Sequence, residues 1–149
     1  MKKSPVILFV SILLMSAITA FAQKKKEKSP VDGKIYDVTI FEVKAGKSGK
    51  SLPDQISFKT QKVKSKVIEE KIDWTAVKYT ITSDSSYTES EGDAMRAIAF
   101  EAEATNENDE TLKWSGTINN ASIDGTIVLS KKGKTKKEFT FSGTEKAKK

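Results

Sequence analysis

The stretch Leu112–Gly143, LKWSGTINNASIDGTIVLSKKGKTKKEFTFSG, alternates apolar and polar residues with a period of two. The alternation is broken at two points, around Asn120 and around Gly133. A period of two is typical of strands with one buried face, and Asn and Gly favour the positive φ angles of tight hairpin turns. The stretch therefore predicts three consecutive antiparallel strands joined by short hairpins.

The same alternation recurs through most of the remaining chain, and long helical periodicity is absent. Eight segments have strand character: Lys34–Lys44, Gln55–Lys59, Val63–Val67, Val77–Thr82, Ile98–Ala104, Leu112–Ile118, Ile123–Leu129 and Phe139–Gly143. The one helix candidate is Lys66–Lys71. Many short strands at near-regular spacing favour a sandwich or barrel, and closure removes exposed strand edges. We therefore predict an all-β fold, a small antiparallel meander barrel of about eight strands over residues 32–145, with at most one short helix.

Strand register follows from the rule that inward residues oppose inward residues. Pairing Ile118 with Ile123 leaves a tight turn between them, and the pairing is extended by opposing Leu129 to Phe139 and Phe100 to Leu112. A bulge in any hairpin would shift the result. The predicted inward layers are Phe100–Leu112–Leu129–Phe139, Ile98–Trp114–Ile127–Phe141 and Arg96–Gly116–Gly125–Gly143.

The third predicted layer places three glycines side by side, which leaves a furrow on the inner face. One interpretation is space for a small ligand. The other is a sharp bend of the sheet, or a groove filled by an aromatic side chain such as Tyr36 or Trp74. The candidate ligand-binding residues are Arg96, Trp114, Gly116, Gly125, Gly143 and Phe141.

Arg96 is the single arginine of the chain beside 25 lysines. Its planar guanidinium suits a carboxylate or phosphate, so one hypothesis is an anion-recognising group at the mouth of a cavity. The alternative is a rim residue paired with Glu89, Glu91 or Asp93, or stacked on an aromatic ring.

The first 22 residues have the order of a secretory signal peptide. Lys2 and Lys3 precede an apolar run, and Ala20-Phe21-Ala22 offers small residues at a cleavage site before Gln23. The rival interpretation is an uncleaved membrane anchor, although the run is short for a spanning helix. We expect a processed protein of 127 residues, periplasmic or secreted and without a membrane span.

Positive charge is concentrated near both ends of the processed chain. Lysines crowd residues 23–31, the segment 131–137 and residues 146–149, while nine acids and one base lie between Asp84 and Glu110. We predict flexible basic tails at 23–31 and 146–149. These tails could contact an anionic envelope surface or could serve solubility. No aromatic residues are interleaved with the lysines, so nucleic acid is not expected as a partner.

The chain has no Cys and no His. This excludes disulfides, Cys or His nucleophiles, a His general base, and His/Cys metal sites. No phosphate-binding loop, dinucleotide fingerprint, GxSxG or EF-hand spacing occurs. We therefore expect neither an enzyme nor a cofactor or metal centre, and a core that folds without disulfides.

Two sets of residues carry a resemblance to known proteins. Gly33-Lys34-Ile35-Tyr36 is similar to the Gly-x-Trp-Tyr opening strand of lipocalin-like barrels, with Ile35 in place of the Trp. The segments around Trp114–Gly116, Ile123–Thr126 and Phe139–Gly143 resemble secreted bacterial proteins with a Trp-x-Gly, Ile-x-Gly-Thr and Phe-x-Gly signature. The resemblance implies a small lipocalin-like periplasmic barrel and carries over no catalytic residue and no ligand.

Two functions remain after these exclusions. The first is an exported, non-enzymatic barrel that binds a small apolar or amphipathic ligand at the glycine furrow. The second is a structural or protein-interaction module of the cell envelope with a solid barrel core.

Overall fold

The computed structural model describes residues 28–88 and 92–147. The predicted signal peptide at 1–22, the lysines of the N-terminal tail before Lys28, and Lys148 and Lys149 lie outside the described residues. The described elements, in chain order, are β1 (Ile35–Lys44), β2 (Lys47–Lys59), β3 (Lys62–Ser65), α1 (Lys66–Ile72), β4 (Val77–Thr88), β5 (Ala94–Thr105), β6 (Glu110–Asn119), β7 (Ser122–Lys131) and β8 (Lys134–Glu145).

The eight strands pair in sequence order, all antiparallel, and β8 closes the ring against β1. The predicted fold class, an antiparallel meander barrel of eight strands with one short helix, is confirmed. Closure follows from the alternation: each strand has one apolar face, and a closed sheet buries all eight of these faces together.

One end of the barrel, which we call the helix end, is covered by α1. The Ser65 side chain accepts a hydrogen bond from the Ile68 amide at 3.1 Å, and Asp54 of β2 accepts from both the Ser65 hydroxyl and the Val67 amide. These bonds satisfy amide groups that the first helical turn leaves free. Ile68 is buried in the core, so α1 seals this end of the barrel.

The opposite end, which we call the terminal end, is covered by residues 29–34. The Gly33 amide donates to the Phe58 carbonyl at 2.6 Å, and the Asp32 carboxylate accepts from the Gln61 amide at 3.1 Å. Val31 is fully buried. The segment predicted as a flexible tail up to residue 31 therefore includes a residue of the core, and the apolar Val31 side chain holds it there.

The register of β6 with β7 agrees with the predicted one, with Ile118 opposite Ile123 and Gly116 opposite Gly125. The other two predicted pairings are wrong. In β7–β8 a two-residue turn at Lys132-Gly133 is followed by a bulge, so Phe139 faces Ile127 rather than Leu129.

In β5–β6 the pairing is shifted by four residues, so Phe100 faces Gly116 rather than Leu112. Asn106 explains this shift, because its side-chain oxygen accepts from the Asn108 and Glu110 amides at 3.0 Å each. These bonds organise a compact turn that lets both strands run further than predicted.

Candidate functional site

Two glycines of the predicted furrow lie between two phenylalanines in one cross-strand row. The corrected registers give the order Phe100–Gly116–Gly125–Phe141 across β5, β6, β7 and β8. Opposed residues of neighbouring strands share a face. The two rings therefore lie on the same inner face as the two glycines, and the row replaces the predicted layer of Arg96 with three glycines.

The Phe100 and Phe141 rings fill the space that the two glycines leave. A Cβ atom at Gly116 would stand 2.7 Å from the Cε1 and Cζ atoms of Phe100, and one at Gly125 would stand 2.6 Å from Cζ of Phe141. Both distances are far inside van der Waals contact. Of the two interpretations of the furrow, the structure favours a groove filled by aromatic rings, supplied by Phe100 and Phe141 rather than by Tyr36 or Trp74.

Gly143 lies apart from this row. It faces Ile123 on one side and Val38 on the other. A Cβ atom here would stand 2.6 Å from the Cα atom of Val38 and would also meet the backbone oxygen of Asp37. Gly143 thus permits a close approach of β8 to β1 and leaves no pocket on the inner face.

Arg96 lies on β5 close to the terminal end of the barrel, away from Gly116 and Gly125. Its Nε donates to Asp84 Oδ1 at 2.8 Å and its Nη2 to Asp84 Oδ2 at 2.6 Å, and half of its side chain is exposed. The pairing lowers the pKa of Asp84 and raises that of Arg96. The partner is thus Asp84 of the neighbouring strand. Of the three predicted partners, Asp93 is described but is not the one used, and Glu89 and Glu91 lie outside the described residues.

The interior is occupied by an aromatic cluster centred on Phe58. Its ring meets the rings of Tyr36, Tyr79 and Phe100 edge-on, at centroid distances of 5.9, 5.1 and 5.0 Å. This arrangement is the favourable one for aromatic pairs. Trp114, 1% exposed, packs on Phe141 with ring centroids 6.0 Å apart. Two of the candidate ligand-binding residues are therefore part of a tightly packed core.

Four buried polar groups have no hydrogen-bond partner among the described residues: the hydroxyls of Ser29, Tyr36 and Tyr79 and the Trp114 Nε1–H. Burial raises the pKa of Tyr36, and the negative charge of Glu145 adds to the effect. Burial also raises the pKa of Tyr79. Groups of this kind usually find a partner when buried, so they are polar features of the interior that bear on function.

Two concavities that border the glycines of the predicted furrow lie on the outer wall of the barrel. One of about 580 Å³ is bordered by Thr39, Pro53 and Gly143, and another of about 360 Å³ by Thr117, Gly116 and Gly125. Glycines have no side chain and let a sheet bend sharply. The hollows at the glycine positions therefore open outward, whereas the prediction placed the furrow inside.

A basic surface on β2, β3 and β4 was not among the sequence-based predictions. Lys59 faces Lys62, and Lys62 faces Lys78, so three lysines stand side by side on the outer wall. Lys64, the next outward residue of β3, lies beside them. We call these four residues the lysine face. The alternation of Lys62 and Lys64 with inward Val63 and Ser65 predicts that both lysines point outward from β3. The row of three lysines follows only from the pairing of β3 with both β2 and β4.

Within residues 28–88 and 92–147, no group of three or more acidic side chains is placed to hold a metal ion. No helix among these residues has the length and apolar character needed to cross a membrane.

Comparison of the chain with protein-family models, with curated proteins and with solved structures finds no match. The function proposed below rests on the chain's own geometry.

Proposed function

We propose that this chain is an exported, non-enzymatic β-barrel that acts through its outer wall, as an interaction module of the cell envelope with a solid core. The single observation that carries the proposal is the Phe100–Gly116–Gly125–Phe141 row. It fills the one part of the interior in which the sequence offered room for a ligand. A barrel that holds a ligand needs a concave apolar pocket instead.

Further support comes from the two ends of the barrel. Ile68 of α1 is buried at the helix end and Val31 at the terminal end, 1% and 0% exposed respectively. Both segments are held by hydrogen bonds to β2 or to the turn that follows it. An interior ligand would have to displace one of these segments as well as the aromatic side chains beneath it.

Export rests on the signal-peptide pattern of residues 1–22, and the non-enzymatic character rests on the absence of Cys and His and of a general acid–base constellation. The outer wall then remains as the part of the molecule available to a partner.

The proposal is tested by expressing the full chain in a bacterial host and recording a native mass spectrum of the exported protein. The expected spectrum contains one species that begins at Gln23 and carries no bound small molecule. A stoichiometric adduct that is lost on denaturation would contradict a solid core. Retention of the full chain in the membrane fraction with residues 1–22 attached would contradict export as a processed protein.

A second candidate, binding of a small amphipathic ligand inside the barrel, is favoured by one observation. The Tyr36 hydroxyl and the Trp114 Nε1–H are buried and without a partner among the described residues. A ligand with a hydrogen-bond acceptor would satisfy a donor of this kind. This candidate requires the core to rearrange, and the native mass spectrum distinguishes it from the first.

A further inference from the structure

The lysine face, Lys59, Lys62, Lys64 and Lys78, is a concentration of like charge that the fold neutralises only at Lys64 among the described ion pairs. Directly opposed like charges on neighbouring strands destabilise a sheet. Among the ion pairs of the described residues, Lys64 pairs with Glu69 at 2.9 Å, and none includes Lys59, Lys62 or Lys78. Three adjacent exposed lysines of the described chain therefore form no ion pair, although Glu101 and Glu103 of β5 border the same concavity as Lys78. The excess positive charge suits an anionic partner.

The shape of the lysine face suits phosphate groups. A concavity of about 420 Å³ on this part of the wall is bordered by Lys59, Lys62 and Lys64 together with the hydroxyl residues Ser57 and Thr60. Ammonium and hydroxyl groups both donate hydrogen bonds to phosphate oxygens. On the β5 side the face ends at Glu101 and Glu103, which point outward and limit the contact to β2, β3 and β4.

An exposed aliphatic side chain lies beside the lysines. Ile35 of β1 is 40% exposed, faces Ser57 of β2 on the outer wall, and Ser57 in turn faces Lys64. On a lipid bilayer, such an apolar side chain would contact the headgroup region while the neighbouring lysines meet anionic headgroups. This combination favours a bilayer over a soluble anionic polymer as the partner.

Two segments near the ends of the described chain meet beside Ile35. The Lys34 carbonyl accepts from the Phe58 amide at 2.9 Å, next to Lys59, and the Lys146 amide donates to the Ile35 carbonyl at 2.8 Å. The backbone at Lys34 and Lys146 is thus attached at the margin of the lysine face.

We propose that the lysine face and Ile35 form the surface with which the protein docks on an anionic phospholipid bilayer. The inference rests on the proposed function and names its partner. Each lysine near an anionic leaflet contributes an attraction that salt screens within a Debye length, so several of them are needed for stable docking. Ile35 adds apolar contact at the level of the lipid headgroups.

The test measures binding of the exported, processed protein to phosphatidylcholine vesicles with and without phosphatidylglycerol. The key variant is K59Q/K62Q/K78Q. The matched control is K132Q/K134Q/K136Q, which removes the same charge from exposed positions of the β7–β8 hairpin at the helix end. We expect the key variant to lose roughly 100-fold in vesicle affinity, since each of the three lysines near the surface contributes about fivefold. The control should lose less than about threefold in vesicle affinity. The I35S variant, which removes the apolar contact, should lose several-fold.

Three results would overturn the inference. Equal losses in the key and control variants would assign binding to net charge alone. Undiminished affinity of the key variant would exclude the lysine face. Lysine-dependent capture on dextran sulfate beads without vesicle binding would assign the face to an anionic polysaccharide. None of these results bears on whether the core is solid, which the native mass spectrum decides separately.

Discussion

At the scale of single residues, Tyr36 is the most informative position of the core. It is fully buried, and its hydroxyl has no hydrogen-bond partner among the described residues. A buried hydroxyl without a partner bears its full desolvation cost. Phe fits the same space without that cost. Replacing Tyr36 by Phe therefore shows whether the hydroxyl destabilises or stabilises the fold.

We predict that Tyr36→Phe raises the free energy of unfolding at pH 7 by about 1 kcal/mol, the desolvation cost of one hydroxyl. The pKa of Tyr36 is raised in the folded state. Between the tyrosine pKa of about 10 in the unfolded chain and the raised value, the unfolded state therefore loses a proton that the folded state keeps. Stability falls as the pH rises through this range, and the variant should lose less of it than the parent.

Urea denaturation of both proteins at pH 7 and above pH 10 checks this prediction. Tyr79, whose pKa is also raised, is present in both proteins and leaves the difference between them unaffected. A loss of stability at pH 7 in Tyr36→Phe would mean that the hydroxyl makes a stabilising bond.

Gly116 tests the packing of the Phe100 ring. We predict that Gly116→Ala lowers the free energy of unfolding by about 2 kcal/mol, because the new methyl group would overlap the ring and overpacking of a core has costs of this size. Phe100 cannot easily give way, since its other contacts include the Phe58 ring at 5.0 Å.

A double-mutant cycle makes this prediction specific. In a Phe100→Leu background the ring is gone, and Gly116→Ala should then cost less than in the parent protein. The outward Ser115→Ala variant on the same strand is the control and should change stability little. Equal costs of Gly116→Ala in both backgrounds would show that the Phe100 ring does not occupy the glycine position.

At the scale of the elements, β3 is the strand that creates the lysine face. It has four residues, and its outward Lys62 faces a lysine on each neighbouring strand. Like charges directly opposed on neighbouring strands are expected to weaken the sheet, so this row has a stability cost that can be measured.

We predict that Lys62→Gln raises the free energy of unfolding by about 0.5 kcal/mol at low ionic strength, by relieving two cross-strand repulsions. The gain should shrink in concentrated salt, which screens exposed charges. Lys28→Gln, at an exposed position before the first strand, is the control and should have no comparable effect. Chemical denaturation at two salt concentrations measures the difference, and a loss of stability in Lys62→Gln would contradict the repulsion.

The elements also show what the sequence can predict. Alternation and turn residues were sufficient for eight strands, for α1 and for the β6–β7 register. They were insufficient where one residue reorganises a turn, as Asn106 does, or where a bulge follows Gly133. Because these local features shifted the register by two to four residues, the predicted placement of Arg96 beside the glycines was wrong although the strands themselves were correct.

At the scale of the whole molecule, the barrel is closed laterally by the β1–β8 pairing and covered at its ends by α1 and residues 29–34. Among the residues that the structure describes, 21 aromatic and aliphatic side chains are buried and form the core. The candidate ligand-binding residues Trp114 and Phe141 belong to it. Sequence could place them on the inner face, but only the packing of neighbours from distant strands decides whether a face lines a cavity or fills one.

The most direct test of the central claim, a solid core, uses Trp114 as the reporter. The chain has two tryptophans, so a Trp74→Phe variant leaves Trp114 alone in the interior. The variant is titrated with a brominated fatty acid, whose bromine quenches tryptophan fluorescence only near contact. We predict no change in Trp114 emission at any concentration below micelle formation. Saturable quenching with one ligand per protein would show that the interior admits a ligand and would contradict the solid core.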